Sequence, residues 1–209
     1  MAGTTSSGGA LEGIRVVEMG QLIAGPFCGQ LLGDMGAEIV KLEPPEAGDQ
    51  MRNWGQGDKP SWWRVIARNK YSVACNLRAA EGQQLARDLI AKADILIENF
   101  RPGTLEKWNL DPADLCAVNP GLIVVRVSGY GQTGPYSARA GFGGIGEARG
   151  DGAVSSVTPI ARLPAWACRS AIRLQPAMAV WERWPLSITA ARPAKARLSI
   201  PHYMKRYCR

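Results

Sequence analysis

Apolar positions along the chain alternate between short continuous runs and a helical rhythm. Ile14-Arg15-Val16-Val17-Glu18-Met19 is a β-branched run that predicts a strand. Behind it the spacing turns helical, with Phe27, Leu31, Leu32 and Met35 on one face, Pro26 suited to the first helical position and Gly36 to a left-handed stop. Glu38-Ile39-Val40-Lys41-Leu42 then predicts a second strand. Two strands joined through a crossover of about a dozen residues make the smallest parallel βαβ unit.

The alternation recurs further along. Ser72-Val73-Ala74-Cys75 predicts a strand, residues 81–93 a helix with Leu85, Leu89 and Ile90 facing inward, and Asp94-Ile95-Leu96-Ile97-Glu98 another strand. Leu122-Ile123-Val124-Val125-Arg126-Val127 is the most apolar run, as expected of a parallel strand covered on both faces. The fold class is therefore α/β, with a Rossmann-like parallel sheet over residues 11–148 after a loose tail at 1–10. Residues 43–69 carry Pro44, Pro45, Gly48, Gly55, Gly57 and Pro60 and are expected to be a loop excursion. Its Trp54, Trp62 and Trp63 suit a satellite core under a long loop, or stacking on an adenine or a substrate.

Charge changes the picture of the second half. The formal net charge is +7, yet residues 1–148 hold 14 Lys+Arg against 16 Asp+Glu, while residues 149–209 hold 11 against 2. The basic excess thus sits entirely in the tail and says nothing about the α/β part. Of the five cysteines, Cys28, Cys75, Cys116, Cys168 and Cys208, no two form a C-x-x-C pair, and His202 is the only histidine, so neither a zinc site nor a disulfide framework is predicted. No secretory or transit signal opens the chain and no run reaches the ~20 apolar residues of a membrane helix, so a reduced, cytoplasmic location is expected, with no membrane partner.

In open α/β sheets ligands bind beyond the carboxyl ends of the strands, which singles out three loops. Gln21-Leu22-Ile23-Ala24-Gly25-Pro26 runs from a strand into a helix whose first N–H groups suit a phosphate or carboxylate. Glu98-Asn99-Phe100-Arg101-Pro102-Gly103, with Lys107 one turn on, gathers an amide, an aromatic face and two cations, a set suited to a phosphorylated, adenine-bearing ligand. Ser128-Gly129-Tyr130-Gly131-Gln132-Thr133-Gly134-Pro135 follows the most buried strand, and its glycines permit close backbone approach. Each loop is also compatible with an ordinary turn. Gly141, Gly143 and Gly146 satisfy G-x-G-x-x-G, but no strand leads into them and no acid follows at the required distance, so the dinucleotide fingerprint fails. Arg149-Gly150-Asp151 is treated as a chance adhesion tripeptide.

Read in order, Leu11-Glu12-Gly13-Ile14-Arg15-Val16-Val17-Glu18, Ala24-Gly25-Pro26, the stretch from Leu32 to Glu43, Ile97-Glu98-Asn99-Phe100-Arg101-Pro102-Gly103 and the loop from Ser128 to Pro135 resemble the class III CoA-transferases. That group includes formyl-CoA transferase, carnitine CoA-transferase and α-methylacyl-CoA racemase. The resemblance covers residues 11–148 and implies a CoA-binding large domain in a homodimer of interlocked chains, acting on an acyl-CoA and a small carboxylic acid, with no metal and no nucleic acid. It carries over Ala24, Asn99 and Phe100 as residues lining the CoA site. Lys107 stands where some members have an arginine, keeping the cation and losing the fork. Tyr71 stands where Lys-Arg-Ser is common, which removes one expected phosphate contact.

The same resemblance implies an aspartate nucleophile in a Ser-Ile-Gly-Asp-like motif shortly after Gly146-Glu147-Ala148, and this sequence has none. Read one base earlier, Cys168-Arg169-Ser170-Ala171-Ile172-Arg173-Leu174 can encode Val-Ser-Ile-Gly-Asp-Ser-Leu. In the same frame, residues 202–208 permit Leu-Tyr-Glu-Ala-Val-Leu, a second family segment. The expectation is a frameshift near Ala148, a tail at 149–209 that was never selected to fold, a missing smaller domain, and a chain without turnover. The rival from another class is a non-catalytic CoA-binding or interaction domain whose basic tail meets RNA or an acidic surface.

Overall fold

The computed structural model describes residues 9–54 and 61–141, together with the backbone of residues 197–199. Its centre is a six-stranded, all-parallel sheet of β1 (Arg15–Glu18), β2 (Glu38–Glu43), β3 (Lys70–Ala74), β4 (Ile95–Glu98), β5 (Ile123–Arg126) and β6 (Arg197–Ser199), in the order β3-β2-β1-β4-β5-β6. Five helices are described: α1 (Ala24–Asp34), α2 (Ser61–Ile66), α3 (Ala80–Ile90), α4 (Thr104–Lys107) and α5 (Pro112–Val118). The Rossmann-like α/β expectation holds, and the strand order reverses between β1 and β4.

Neighbouring residues on each central strand face opposite cores, as the pleat requires. Val16, Ile39, Ile97 and Val125 pack with Cys28 and Leu32 of α1 on one face. Val17, Leu42, Leu96 and Val124 pack on the other with Ala86 and Ile90 of α3, Leu105, Leu110 and Leu115. Burial on both sides explains why these strands read as unbroken apolar runs.

Three expectations need correction. Leu85 is exposed rather than inward, because α3 presents Ala86 and Ile90 to the sheet and leaves Leu89 at the margin. On α1 the fully buried residues are Gly25, Pro26, Cys28, Gly29, Gln30 and Leu32, while Phe27, Leu31 and Met35 are half-buried at the edges of the face. The excursion after β2 has structure of its own, a 3-10 turn over Gln50–Asn53 whose Asp49 caps Met51 N, followed by α2. Within it Trp62 and Trp63 are half-buried, Trp54 is exposed, and the Arg52 guanidinium lies 4.0 Å over the Trp63 ring. Gly9, at the end of the expected tail, packs against Gly36, whereas residues 1–8 and all of 149–209 except β6 lie outside the described residues.

Candidate functional site

Four strands end on a buried charge: Glu18 on β1, Glu43 on β2, Glu98 on β4 and Arg126 on β5. Charges of this kind persist in a core only when paired. Glu18 accepts from Lys41 Nζ at 2.9 Å and from Lys70 Nζ at 2.7 Å, and Lys41 Nζ faces Asp49 Oδ2 across 2.8 Å. Glu43 accepts from Arg52 Nε at 2.7 Å, Ser72 Oγ at 2.6 Å and Asp49 N at 2.8 Å. Glu98 accepts from Arg126 Nε at 2.7 Å and from Phe100 N at 2.7 Å, while Arg126 reaches on to Glu106 at 2.9 Å.

These pairings set the proton affinities. Burial pulls Lys41 down, but Glu18 and Asp49 together hold it above the usual lysine value. Lys70, with Glu18 as its carboxylate partner, is left lowered by burial. Burial alone would raise Glu43, yet hydrogen bonds from Arg52, Ser72 and Asp49 N bring it down to about 2. Glu98 is pushed up to about 6 by burial, which Arg126, shared with Glu106, does not offset. Burial and the nearby Glu18 carboxylate raise the Cys28 thiol to about 12, so it is no nucleophile at neutral pH.

The loop from β1 into α1 crosses the point where the strand order reverses. Gly20 and Gly25 approach so closely there that a Cβ on Gly20 would stand 2.9 Å from Gly25 Cα. The Asn99 amide ties this loop to β4, accepting from Gln21 N at 2.7 Å and donating to Gln21 O at 2.9 Å. Leu22 adopts φ 63, a left-handed conformation that costs a non-glycine residue roughly 1–3 kcal/mol.

Beside this loop opens a cavity of about 370 Å³ at the carboxyl ends of β1, β2, β3 and β4. Met19, Leu42, Cys75, Phe100 and Trp108 give it apolar and aromatic surface, and Gln21, Glu46, Asn76 and Arg78 add polar groups, with Arg78 the one cation among them. Phe100 and Trp108 meet edge to face with centroids 5.0 Å apart. A flat heterocycle with an anionic substituent suits such a lining.

Of the residues singled out from the sequence, Gln21 and Phe100 line this cavity. Asn99 and the Ala24 loop come together at the strand reversal, with Ala24 the first residue of α1. Lys107 ends α4, exposed, one residue before Trp108 of the cavity lining and not itself part of that lining. Tyr71 is exposed on β3. In the Ser128 to Pro135 loop, Gly131 and Gly134 adopt positive φ. Sequence reasoning missed Asn76, Leu77, Arg78 and Trp108, together with the buried charges beneath the loop. The available signal was a charged residue closing an apolar strand run. Among the described residues no cluster of His, Cys, Asp and Glu is arranged to hold a metal, and no helix is long and apolar enough to cross a membrane.

Residues 11–178 match the family described as CoA-transferase family III. The chain belongs to that family. Among its relatives, succinyl-CoA–D-citramalate CoA-transferase of Chloroflexus aurantiacus is 57% identical over 143 residues, covering 67% of this chain and 36% of the relative. Human succinyl-CoA:glutarate CoA-transferase is 38% identical over 141 residues, covering 66% and 32%. A crystal structure of a CAIB/BAIF family protein from Brucella suis superposes with a TM-score of 0.85 at 34% identity, covering 96% of this chain and 55% of that one. This family III chain spans about a third of the length of the curated relatives it matches.

Proposed function

We propose that residues 11–148 form the CoA-binding part of a class III CoA-transferase, with Ala24, Asn99, Phe100 and Lys107 as contacts to CoA, and that the 209-residue chain binds CoA without turning it over. The observation that carries the binding reading is the cavity beyond β1–β4, where Phe100 and Trp108 offer ring surface and Arg78 a cation to one adenine-bearing phosphate ester. The substrate class follows from relatives named for succinyl-CoA together with D-citramalate, L-malate or glutarate: a succinyl-CoA donor and a short dicarboxylate acceptor.

The reaction begins when an aspartate carboxylate attacks the thioester carbonyl. The C–S bond breaks, a mixed anhydride forms and CoA leaves as thiolate. The acceptor carboxylate then attacks the aspartyl carbonyl, expelling the donor acid, and the thiolate attacks the new anhydride to give the new acyl-CoA and free aspartate. Backbone donors from glycine loops stabilise the developing oxyanions.

After Ala148 the only acids in this chain are Asp151 and Glu182, and neither stands in a Ser-Ile-Gly-Asp motif. A frameshift near Ala148 accounts for that loss, for the basic composition of residues 149–209, and for two family segments that the earlier frame can encode with suitable wobble bases. The intact product is read as a cytoplasmic homodimer with no metal, no membrane contact and no nucleic-acid partner.

The test pairs calorimetric titration of the 209-residue protein with CoA and a transfer assay from succinyl-CoA to L-malate and glutarate. The assay is repeated on the protein encoded when the earlier frame is restored after codon 148. Binding without transfer by the first protein and transfer by the second are the expected results. Transfer by the 209-residue chain removes the inactivity reading, and a closed earlier frame removes the frameshift.

A further inference from the structure

The loop that walls one side of the cavity is gripped by side chains lying beneath it. Lys41 Nζ donates to Gly20 O at 2.7 Å, the Asn99 amide holds both backbone atoms of Gln21, Leu22 N donates to Asp49 Oδ1 at 3.0 Å, and Lys70 Nζ donates to Pro26 O at 2.6 Å. Left-handed Leu22 lies inside this grip, and a conformation of that kind persists only where the surroundings over-determine it. Asp49 belongs to a different segment from the loop it holds. It follows Pro44, Pro45 and Glu46, which line the same cavity, and its backbone N–H is fixed by Glu43 at 2.8 Å. One buried carboxylate therefore joins the Met19 and Gln21 side of the cavity to the Pro44–Glu46 side.

We infer that Asp49 is a positioning residue of the CoA site: it locks the left-handed turn at Leu22 and clasps the two cavity walls together before a ligand arrives. Asp49 touches no ligand in this scheme. Its Oδ1 accepts from Leu22 N and Met51 N, and its Oδ2 is buried 2.8 Å from Lys41 Nζ as an ion pair without a hydrogen bond. The consequence for binding rests on the CoA reading above, whereas the clasp itself does not.

Two substitutions separate the acceptor from the charge. Asp49→Ala and Asp49→Asn both remove the ion pair with Lys41, but only Asn keeps an oxygen for Leu22 N. In Asp49→Ala, CoA affinity is expected to fall about tenfold, the ratio set by one or two lost hydrogen bonds. Amide exchange at Leu22 is expected to accelerate while Val16 and Ile97 stay protected. Asp49→Asn is expected to rescue affinity to within about threefold of the unaltered protein and to restore protection at Leu22.

Equal losses in the two variants would show that the ion pair acts rather than the clasp, and overturn the inference. A folded Asp49→Ala protein with normal Leu22 exchange overturns it as well. If Asp49→Ala does not fold, the Asn variant decides, since a folded Asn protein without Leu22 protection contradicts the inference. If the unaltered chain binds no CoA, the proposed function fails, and Leu22 exchange still decides the clasp.

Discussion

Glu43 and Glu98 are both buried carboxylates at strand ends, and their surroundings push them in opposite directions. Glu43 accepts from Arg52, Ser72 and Asp49 N, and is held at about 2. Glu98 shares Arg126 with Glu106 and is pushed by burial to about 6. Between pH 4.5, the ordinary glutamate value, and about 6 the folded protein holds a proton on Glu98 that the unfolded chain has released. Folding is therefore favoured as the pH falls through that window, and this contribution, about 2 kcal/mol, is lost as the pH rises through 6. Glu43 acts in the reverse sense, contributing above pH 4.5 and losing its contribution as the pH falls towards 2. Urea unfolding of the whole chain is expected to gain stability from pH 7 to pH 5 and to lose it below pH 4. In Glu98→Gln the gain between pH 7 and 5 is expected to vanish. A variant that keeps the same slope contradicts the assignment of that limb to Glu98.

Among elements, α1 combines poor intrinsic helix chemistry with close packing against β1. Gly25, Gly29 and Gly33 all lie within it, and an exposed helical glycine is worth about 1 kcal/mol less than alanine. Propensity alone therefore expects Gly29→Ala to stabilise. Packing expects the reverse, because a Cβ at Gly29 would overlap Glu18 Oε2 and come within 3.4 Å of Lys70 Nζ. Displacing Glu18 breaks its pairing with Lys41 and Lys70, and broken buried pairs cost about 3–5 kcal/mol. Gly29→Ala is expected to destabilise by about 3 kcal/mol in denaturant titration, and a neutral or stabilising result would show that Glu18 has room to move.

This balance also explains what was legible at this scale. Strands β1, β2, β4 and β5 could be read because burial on both faces leaves apolar runs. Periodicity located α3 but did not say which edge of its apolar arc meets the sheet, hence the error at Leu85. The helix α2 was missed because Trp62, Trp63, Val65 and Ile66 carry no helical preference of their own.

At the scale of the whole molecule, the site depends on strand order, which no local pattern encodes. Asn76, Leu77 and Arg78 follow β3 in an aperiodic loop, and they line the cavity only because β3 lies beside β2, which lies beside β1. Phe100 could be picked out because a strand end, an aromatic and a proline-started helix coincide in sequence. Beyond β5 the sheet continues into β6, where Ile123, Val124 and Val125 pair with Arg197, Leu198 and Ser199. This is the one described segment of residues 149–209, and it covers the edge of the most apolar strand. An uncovered parallel edge of that kind is a template for another chain. Ending the protein after Ala148 is therefore expected to leave the β1–β4 cavity intact and to expose β5. Light scattering behind size-exclusion chromatography should show the 148-residue form associating with rising concentration beyond the state of the 209-residue chain, and rapid amide exchange at Val124, whose N–H faces β6, should accompany dilution while Val125, bonded towards β4, stays protected. A shortened protein with the same mass distribution and the same Val124 protection as the full chain would show that β6 contributes nothing to the sheet.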